Sequence, residues 1–275
     1  MVTSAAQRIS EVSSMRTFRT GFATYPPTPA EALERYLAEQ RPTNDPRCVA
    51  ERRARFAIEC AGLRRDSGVP AEFAEASIIA SAVDERMPPK YRGTAHALHG
   101  LLTGTARLVG VTGPRGTGKT GLISGLCNAF CDCHLEALYL PSTTALFEMV
   151  KGTFGQDGAT ERLWRRLRTA ALLALDESHD RDVDKAWQDT RLTDLLNQRF
   201  LAGRKTVLGS NLRALPEPGD ASGPPPFQRM LGESITRRLA QDGGIFTANW
   251  GRIHDLLERG GASPTSTVAV NPSSN

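Results

Sequence analysis

The chain has 275 residues, of which 40% are apolar, so it is long enough to bury a substantial core. Its formal net charge is +4, and only five of its 34 basic residues are lysine, which makes arginine the prevailing cation. No stretch approaches the roughly 18 consecutive apolar residues that cross a bilayer, and the N-terminal MVTSAAQRISEVSS lacks the apolar run of a secretion signal, so we expect a soluble cytoplasmic protein that does not enter membranes.

The N-terminal part of the chain divides into two predicted segments. Residues 1–45 are rich in Ser, Thr and Pro and are interpreted as a flexible arm, in which AEALERYLAEQ between prolines predicts a short helix. Residues 46–103 are predicted to form a small, mainly helical N-terminal region that contacts a partner or DNA. Its first helix, RCVAERRARFAIECAGLRR, places these apolar residues among six arginines: Val49, Phe56, Ile58, Ala61 and Leu63. The positive face of that helix either meets nucleic acid or an acidic partner, or is simply solvated.

From residue 104 onward, short apolar runs alternate with longer segments of helical spacing. The predicted strands are RLVGVT, ALYLP, AALLALD, TVLGSN and GIFTAN. Strands that alternate with helices imply crossover connections, so we predict an α/β domain over residues 104–260 with a parallel sheet flanked by helices. The sequence GASPTSTVAVNPSSN ends the chain, and residues 261–275 are predicted to be a disordered tail.

The segment GPRGTGKT lies directly after the first predicted strand and directly before a predicted helix. It has the form GxxxxGK(S/T), in which glycines permit a tight loop whose backbone N–H groups converge on phosphate oxygens. We expect Lys119 to reach the β- and γ-phosphates of ATP, and the Thr120 hydroxyl to bind Mg²⁺. The domain is therefore predicted to be a P-loop NTPase. Its nucleotide-binding residues are predicted to be Gly113, Pro114, Arg115, Gly116, Thr117, Gly118, Lys119, Thr120 and Gly121.

Two further strands end in polar residues suited to hydrolysis. The strand AALLALD ends at Asp176, with Glu177 next to it, and a charged pair at the end of an apolar strand is costly unless it serves a site. On a neighbouring parallel strand beside the loop, Asp176 is predicted to hold Mg²⁺, and Glu177 is predicted to act as general base. Asn211 ends TVLGSN, where its amide is predicted to orient the attacking water.

The segment LGESITRRL contains a candidate for a role between subunits. Its spacing predicts a helix whose packed face contains Leu231, Ile235 and Leu239. An arginine that reaches a neighbour's γ-phosphate stabilises the charge that develops during phosphoryl transfer. Arg237 and Arg238 are candidates for this role in an assembly, and a pair of surface arginines is the alternative.

Five segments in this order and spacing resemble the AAA+ ATPases of the DnaC, DnaI and IstB type, which are bacterial helicase loaders and transposition helpers. The segments are SGVPAEFAEASI, GPRGTGKTGL, ALLALDE, TVLGSNL, and LGESITRRL followed by a strand and ANWGRI. They extend from about residue 66 to 255. The resemblance implies an AAA+ type P-loop fold. Carried over to this sequence, it implies a Walker A pair (Lys119 and Thr120), a Walker B pair (Asp176 and Glu177) and a sensor one residue (Asn211).

The resemblance also implies that Arg238 is the arginine finger, because it is the Arg before Leu in the family's Ser-Arg-Leu pattern. Arg237 stands where the family usually has Ser, so the choice between the two arginines stays open. The sequence DESHD also departs from the Asp-Asp-Ile-Gly often found after Walker B. Some relatives carry a zinc-binding cysteine cluster in the N-terminal part, whereas this chain has only Cys48 and Cys60 there, so we predict no zinc.

The implied function is that of an ATP-hydrolysing DNA replication protein. Its subunits would assemble into an oligomer, with single-stranded DNA and a replicative helicase as partners. An IstB-like transposition helper that presents target DNA to a transposase is an alternative, as is an ATP-gated binding module with little turnover. A two-domain helicase of the DExH type does not fit, because too few residues follow His179 for a second domain.

Overall fold

The computed structural model describes residues 28–40, 42, 45–104, 106–179, 185–214 and 225–255. The predicted arm up to residue 27 and the predicted tail over 261–275 lie outside the described residues. Within the described ranges, no helix is both long enough and apolar enough to cross a membrane.

The helices and strands alternate as the sequence predicts. The helices are α1 (Pro29–Ala38), α2 (Pro46–Asp66), α3 (Ile78–Val83), α4 (Pro89–Thr103), α5 (Lys119–Asp132), α6 (Thr143–Lys151), α7 (Ala159–Thr169), α8 (Lys185–Leu201) and α9 (Pro226–Asp242). The strands are β1 (Leu108–Thr112), β2 (Ala137–Ser142), β3 (Leu172–Glu177), β4 (Lys205–Ser210) and β5 (Ile245–Thr247). Each of the five predicted strands is thus confirmed.

The strands in the described part of the chain form one sheet in the order β2-β3-β4-β1-β5, and every pairing is parallel. The predicted α/β class is confirmed. One detail of the prediction was wrong: β3 is not next to β1, because β4 lies between them and pairs with both. Since all the carboxyl ends lie at one edge of a parallel sheet, the loop after β1 and the acidic end of β3 still face the same edge.

The side chains of alternate strand residues point to opposite faces of the sheet and contribute to two apolar layers, one on each face. Val109 and Val111 of β1 join the layer that α2, α4 and α5 cover. Leu173 and Leu175 of β3 join the opposite layer, which α6 to α9 cover. Helices on both faces explain why the strands read as nearly continuous apolar runs.

The N-terminal helices are packed on the same core as the sheet. In α1, Tyr36 is 6% exposed and packs edge-on against Phe56 of α2, with 5.2 Å between the ring centroids. The short helix predicted within residues 1–45 is thus present as α1, and it buries an aromatic side chain. Arg64 of α2 also pairs with Asp132 at the end of α5, with Nη2 and Oδ2 2.5 Å apart.

The helix predicted over residues 47–65 is confirmed, but two residues of its predicted apolar face, Ile58 and Ala61, are exposed. Ile58 is 71% exposed. Phe56 and Cys60 are buried instead, and they are four residues apart on one side of α2. Ile58 lies two residues from each of them, so about 100° per residue turns it to the opposite side.

Candidate nucleotide-binding site

The glycine loop joins β1 to α5 at the carboxyl edge of the sheet. Gly113 has a φ of 138° and Gly118 a φ of 79°, in the region that glycine adopts without steric cost. A Cβ atom at Gly113 would lie 2.7 Å from the Cβ of Ala248, and one at Gly118 would lie 2.7 Å from Ile253 Cγ1. Both glycines therefore serve the conformation of the loop and its close contact with the chain after β5.

The segment after β5 is hydrogen-bonded to the glycine loop. The indole Nε1–H of Trp250 donates to the carbonyl of Thr117 at 2.8 Å. The backbone N–H of Ile253 donates to the carbonyl of Gly116 at 2.9 Å. In both hydrogen bonds the loop contributes a carbonyl acceptor and no N–H donor. The bonds therefore do not compete with a phosphate, which requires N–H donors from the loop.

Lys119 opens α5, and its side chain curls back over the loop. Its ammonium donates to the carbonyls of Gly113 at 2.8 Å and Pro114 at 2.7 Å. Burial lowers the pKa of Lys119, and the carboxylates of Asp176 and Glu177 oppose that shift. The cation is thus placed between the glycine loop and the acidic end of β3.

Asp176 is 5% exposed and accepts two hydroxyl hydrogen bonds on one oxygen. Thr120 Oγ1 donates to Asp176 Oδ2 at 2.7 Å, and the Tyr139 hydroxyl donates to the same oxygen at 2.9 Å. Burial raises the pKa of Asp176, whereas the two hydroxyls and Lys119 lower it. A carboxylate and a hydroxyl are hard oxygen donors at adjacent positions, so the residues present fit Mg²⁺.

Glu177 ends β3, Asn211 directly follows the neighbouring strand β4, and the two side chains contact each other. Asn211 Nδ2 donates to Glu177 Oε1 at 3.2 Å. Arg115 of the loop places its Nη2 4.0 Å from the same oxygen. The base predicted for hydrolysis is therefore oriented by an amide and faces a cation from the loop.

These side chains line one cavity of 440 Å³, a volume within the range of small-molecule sites. The cavity brings together Lys119, Thr120, Asp176, Glu177 and Asn211. Their arrangement suits the binding of a polyphosphate and a divalent cation, and the activation of a water molecule. The roles of the individual residues stay predictions.

Solved structures share this arrangement of strands and helices. A crystal structure of the DnaC helicase loader matches with a TM-score of 0.50 and 13% identity, over 65% of this chain and 99% of that one. This chain shares that fold, a parallel five-stranded sheet flanked by helices. A replication initiator, DnaA, bound to AMPPCP and single-stranded DNA, matches this chain with a TM-score of 0.49 and 16% identity, over 66% of this chain and 50% of that one. A crystal structure of DnaI matches with a TM-score of 0.48 and 16% identity, over 67% of this chain and 94% of that one.

The resemblance inferred from the motifs is thus confirmed at the level of the fold. No protein-family model matches this chain, and no curated protein matches it. The chain spans only half the length of the matched DnaA structure but almost all of the DnaC structure.

Arg238 lies at the opposite edge of the sheet from the glycine loop. Its guanidinium stacks over the ring of Phe200, 4.6 Å from the centroid. Arg107 stacks on that same ring at 3.9 Å and directly precedes β1, whereas the loop follows the far end of β1. The five residues of β1 separate the two edges by roughly 16 Å, at about 3.3 Å per residue. Arg237 is exposed.

The packed face predicted for this helix is confirmed, since Leu231, Ile235 and Leu239 of α9 are all buried. Contact with Phe200 gives Arg238 a packing role within its own subunit. Its placement far from the loop of the same chain is compatible with action on a neighbouring subunit.

Sequence reasoning missed three aromatic residues of the site. Tyr139 donates to Asp176, and Phe73 and Tyr91 line the cavity. A hydroxyl-bearing residue inside the apolar run ALYLP was a usable signal for Tyr139. Phe73 lies in SGVPAEFAEASI, where Asn128 of α5 holds the segment by donating to the carbonyl of Phe73 at 3.2 Å. Nothing local in the sequence connects Tyr91 with the loop.

The cysteines near the end of α5 belong to the core. Cys127, Cys131 and Cys133 are all free and buried. Burial raises the pKa of the Cys131 thiol to about 12. A thiol that keeps its proton at neutral pH packs as a small apolar side chain.

Proposed function

We propose that this AAA+ chain binds ATP with Mg²⁺ and hydrolyses it to ADP and phosphate. One observation carries the proposal: the lysine and threonine of the glycine loop, the acidic pair of β3 and the asparagine after β4 line a single cavity. Each is of the residue type that phosphoryl transfer to water requires.

In this proposal, the loop N–H groups and Lys119 hold the phosphates, while Thr120 and Asp176 hold Mg²⁺. Magnesium, when bound, neutralises charge on the β- and γ-phosphate oxygens. Glu177 accepts a proton from the water that attacks the γ-phosphorus, and the bond to the β-phosphate oxygen breaks. Asn211, which donates to Glu177 Oε1, keeps that carboxylate directed toward the water.

The biological role that we propose is a replication protein of the helicase-loader type. A DnaC helicase loader has this fold, and the motif order of the sequence resembles the same group. Single-stranded DNA and a replicative helicase are the proposed partners. Exposed arginines on α2, namely Arg47, Arg53 and Arg55, would supply phosphate contacts, so DNA binding should weaken steeply as salt is raised.

We further propose that the subunits assemble so that Arg238 of one faces the phosphates of the next. Its position at the edge of the sheet away from its own loop supports this arrangement. A guanidinium supplied by a neighbour would make hydrolysis depend on assembly.

The test of the proposed activity is the Glu177→Gln variant. Loss of the general base should lower turnover by about 10²–10⁴-fold while ATP binding is retained. Glu161→Gln, on the exposed end of a surface ion pair with Arg168, is the matched control and should keep full activity. A wild-type protein that binds ATP without measurable turnover would instead identify an ATP-gated binding module.

The test of the proposed role is ATPase activity measured with and without single-stranded DNA and a replicative helicase. Stimulation by both would support a loader. Retention of the protein by a transposase but not by the helicase would contradict the loader role and favour a transposition helper.

A further inference from the structure

We propose that Arg115 recognises the terminal phosphate of ATP and so lets the site distinguish ATP from ADP. This inference rests on the proposed function, since it requires ATP to bind at the glycine loop. Sequence motifs require only that position 115 contribute backbone to the loop, because the x residues of GxxxxGK(S/T) are not specified. In the structure, the side chain at this position lies near Glu177.

The Arg115 guanidinium lies on the side of the loop that faces the predicted base. Its Nη2 is 4.0 Å from Glu177 Oε1, and both residues line the cavity that contains Lys119 and Asn211. The γ-phosphorus must lie within reach of a water activated by Glu177, so the γ-phosphate belongs on this same side. Arg115 is therefore directed at the part of the nucleotide that ADP lacks.

The contact with Glu177 is weak enough to be exchanged for another. A separation of 4.0 Å is too long for a hydrogen bond, and 82% of the Arg115 side chain is exposed. Glu177 Oε1 is already satisfied by Asn211 Nδ2 at 3.2 Å. The guanidinium can thus move without leaving a buried group unpaired.

A terminal phosphate is a better partner for Arg115 than the carboxylate. It carries more charge and offers more oxygen acceptors, and a guanidinium binds phosphate oxygens through two parallel N–H···O bonds. Lys119 is expected to contact the β-phosphate as well as the γ-phosphate, so part of its contribution is made to ADP too. Arg115 is the cation of the loop that is specific for the triphosphate.

The experiment measures the dissociation constants of ADP and of a non-hydrolysable ATP analogue, both with Mg²⁺, on the full chain. Arg115→Ala should weaken binding of the analogue about tenfold, equivalent to 1.4 kcal/mol, and should change ADP binding by less than about twofold. Arg86→Ala is the matched control, because it removes an exposed arginine outside the site whose partner is Asp84. It should leave both constants unchanged.

A second pair of variants separates direct contact from an effect through the base. In the Glu177→Gln variant, Arg115 does not have to give up a contact with a carboxylate before it binds phosphate. Arg115→Ala should therefore weaken binding of the ATP analogue by at least as much in this variant as in the wild type. Disappearance of this weakening in the Glu177→Gln variant would overturn the proposal, as would equal weakening of ADP and analogue. A wild-type chain that binds neither nucleotide would refute the proposed function itself, which is a different outcome.

Discussion

Replacing Gly209 with alanine tests whether β3 and β4 bring the acidic pair to the glycine loop as described. Gly209 lies in β4, the strand between β3 and β1, and pairs with Val111 of β1. A Cβ at this position would lie 2.5 Å from the carbonyl oxygen of Asp176, 2.5 Å from Asp176 Oδ1 and 2.8 Å from Ile123 Cδ1. Cβ atoms in proteins do not approach other atoms closer than 3.0 Å, so Asp176 would have to retreat by about 0.5 Å.

The strand that carries Asp176 has little freedom to retreat. β3 is hydrogen-bonded to β2 on one side and β4 on the other, so its backbone moves only by disturbing the ladder. Overpacking of this kind costs about 1–3 kcal/mol. A loss of 2 kcal/mol lowers the melting temperature of a chain of this size by roughly 4–8 °C. Because Asp176 itself is displaced, Mg²⁺-dependent ATP hydrolysis should fall further than stability alone explains.

Thermal unfolding and a Mg²⁺ titration of ATPase activity check this prediction. Gly100→Ala in α4 is the control, since no atom lies within 4 Å of its Cβ and helix propensity should raise stability by about 0.5–1 kcal/mol. Adding Ile123→Val to Gly209→Ala should restore little, because the contacts with Asp176 remain. An unchanged melting temperature together with an unchanged Mg²⁺ requirement would refute the described packing of β3 on β4.

Two further predictions concern Tyr139 and Arg238. Tyr139→Phe removes a hydrogen bond that lowers the pKa of Asp176, so that pKa should rise. Because the carboxylate must be ionised to hold Mg²⁺, the acid limb of the pH–rate profile should move to higher pH. An unmoved acid limb would show that the hydroxyl does not act on Asp176. Arg238→Ala should abolish hydrolysis yet cost only about 0.5–1 kcal/mol of stability, from the lost contact with Phe200. A mixture of equal amounts of Arg238→Ala and Glu177→Gln subunits should recover about a quarter of the wild-type rate. In such a mixture, about one head-to-tail interface in four joins a subunit with an intact Glu177 to a neighbour with an intact Arg238. No recovery on mixing would contradict a role between subunits, and Arg237→Ala, which should keep hydrolysis, distinguishes between the two candidate arginines.

Features encoded locally were predictable from the sequence. The five strands are short apolar runs with clear boundaries, and the glycine loop carries its own signature between a strand and a helix. The burial of Ile235 and Leu239 in α9 follows from their four-residue spacing, whereas Leu231 is separated from them by the non-helical backbone of Gly232, which has a φ of 77°. In each case neighbours along the chain supply the whole signal.

Features that depend on pairing between distant segments were not predictable in the same way. Sequence order does not say which strands are adjacent, so the position of β4 between β1 and β3 was missed. Tyr139 reaches Asp176 only because β2 pairs with β3 in a register that sets Tyr139 opposite Ala174. The choice of Cys60 over Ile58 as a buried residue of α2 was decided by where α5 lies, since both side chains are apolar.

The position of α5 gives the chain a mechanical connection between its two halves. The first turn of this helix carries Lys119 and Thr120, and its last residue, Asp132, is paired with Arg64 of α2. Fourteen residues of α-helix form a stiff rod of about 21 Å, at 1.5 Å per residue. A force applied to α2 through Arg64 would therefore be transmitted along α5 to Lys119, the residue that we propose to bind phosphate.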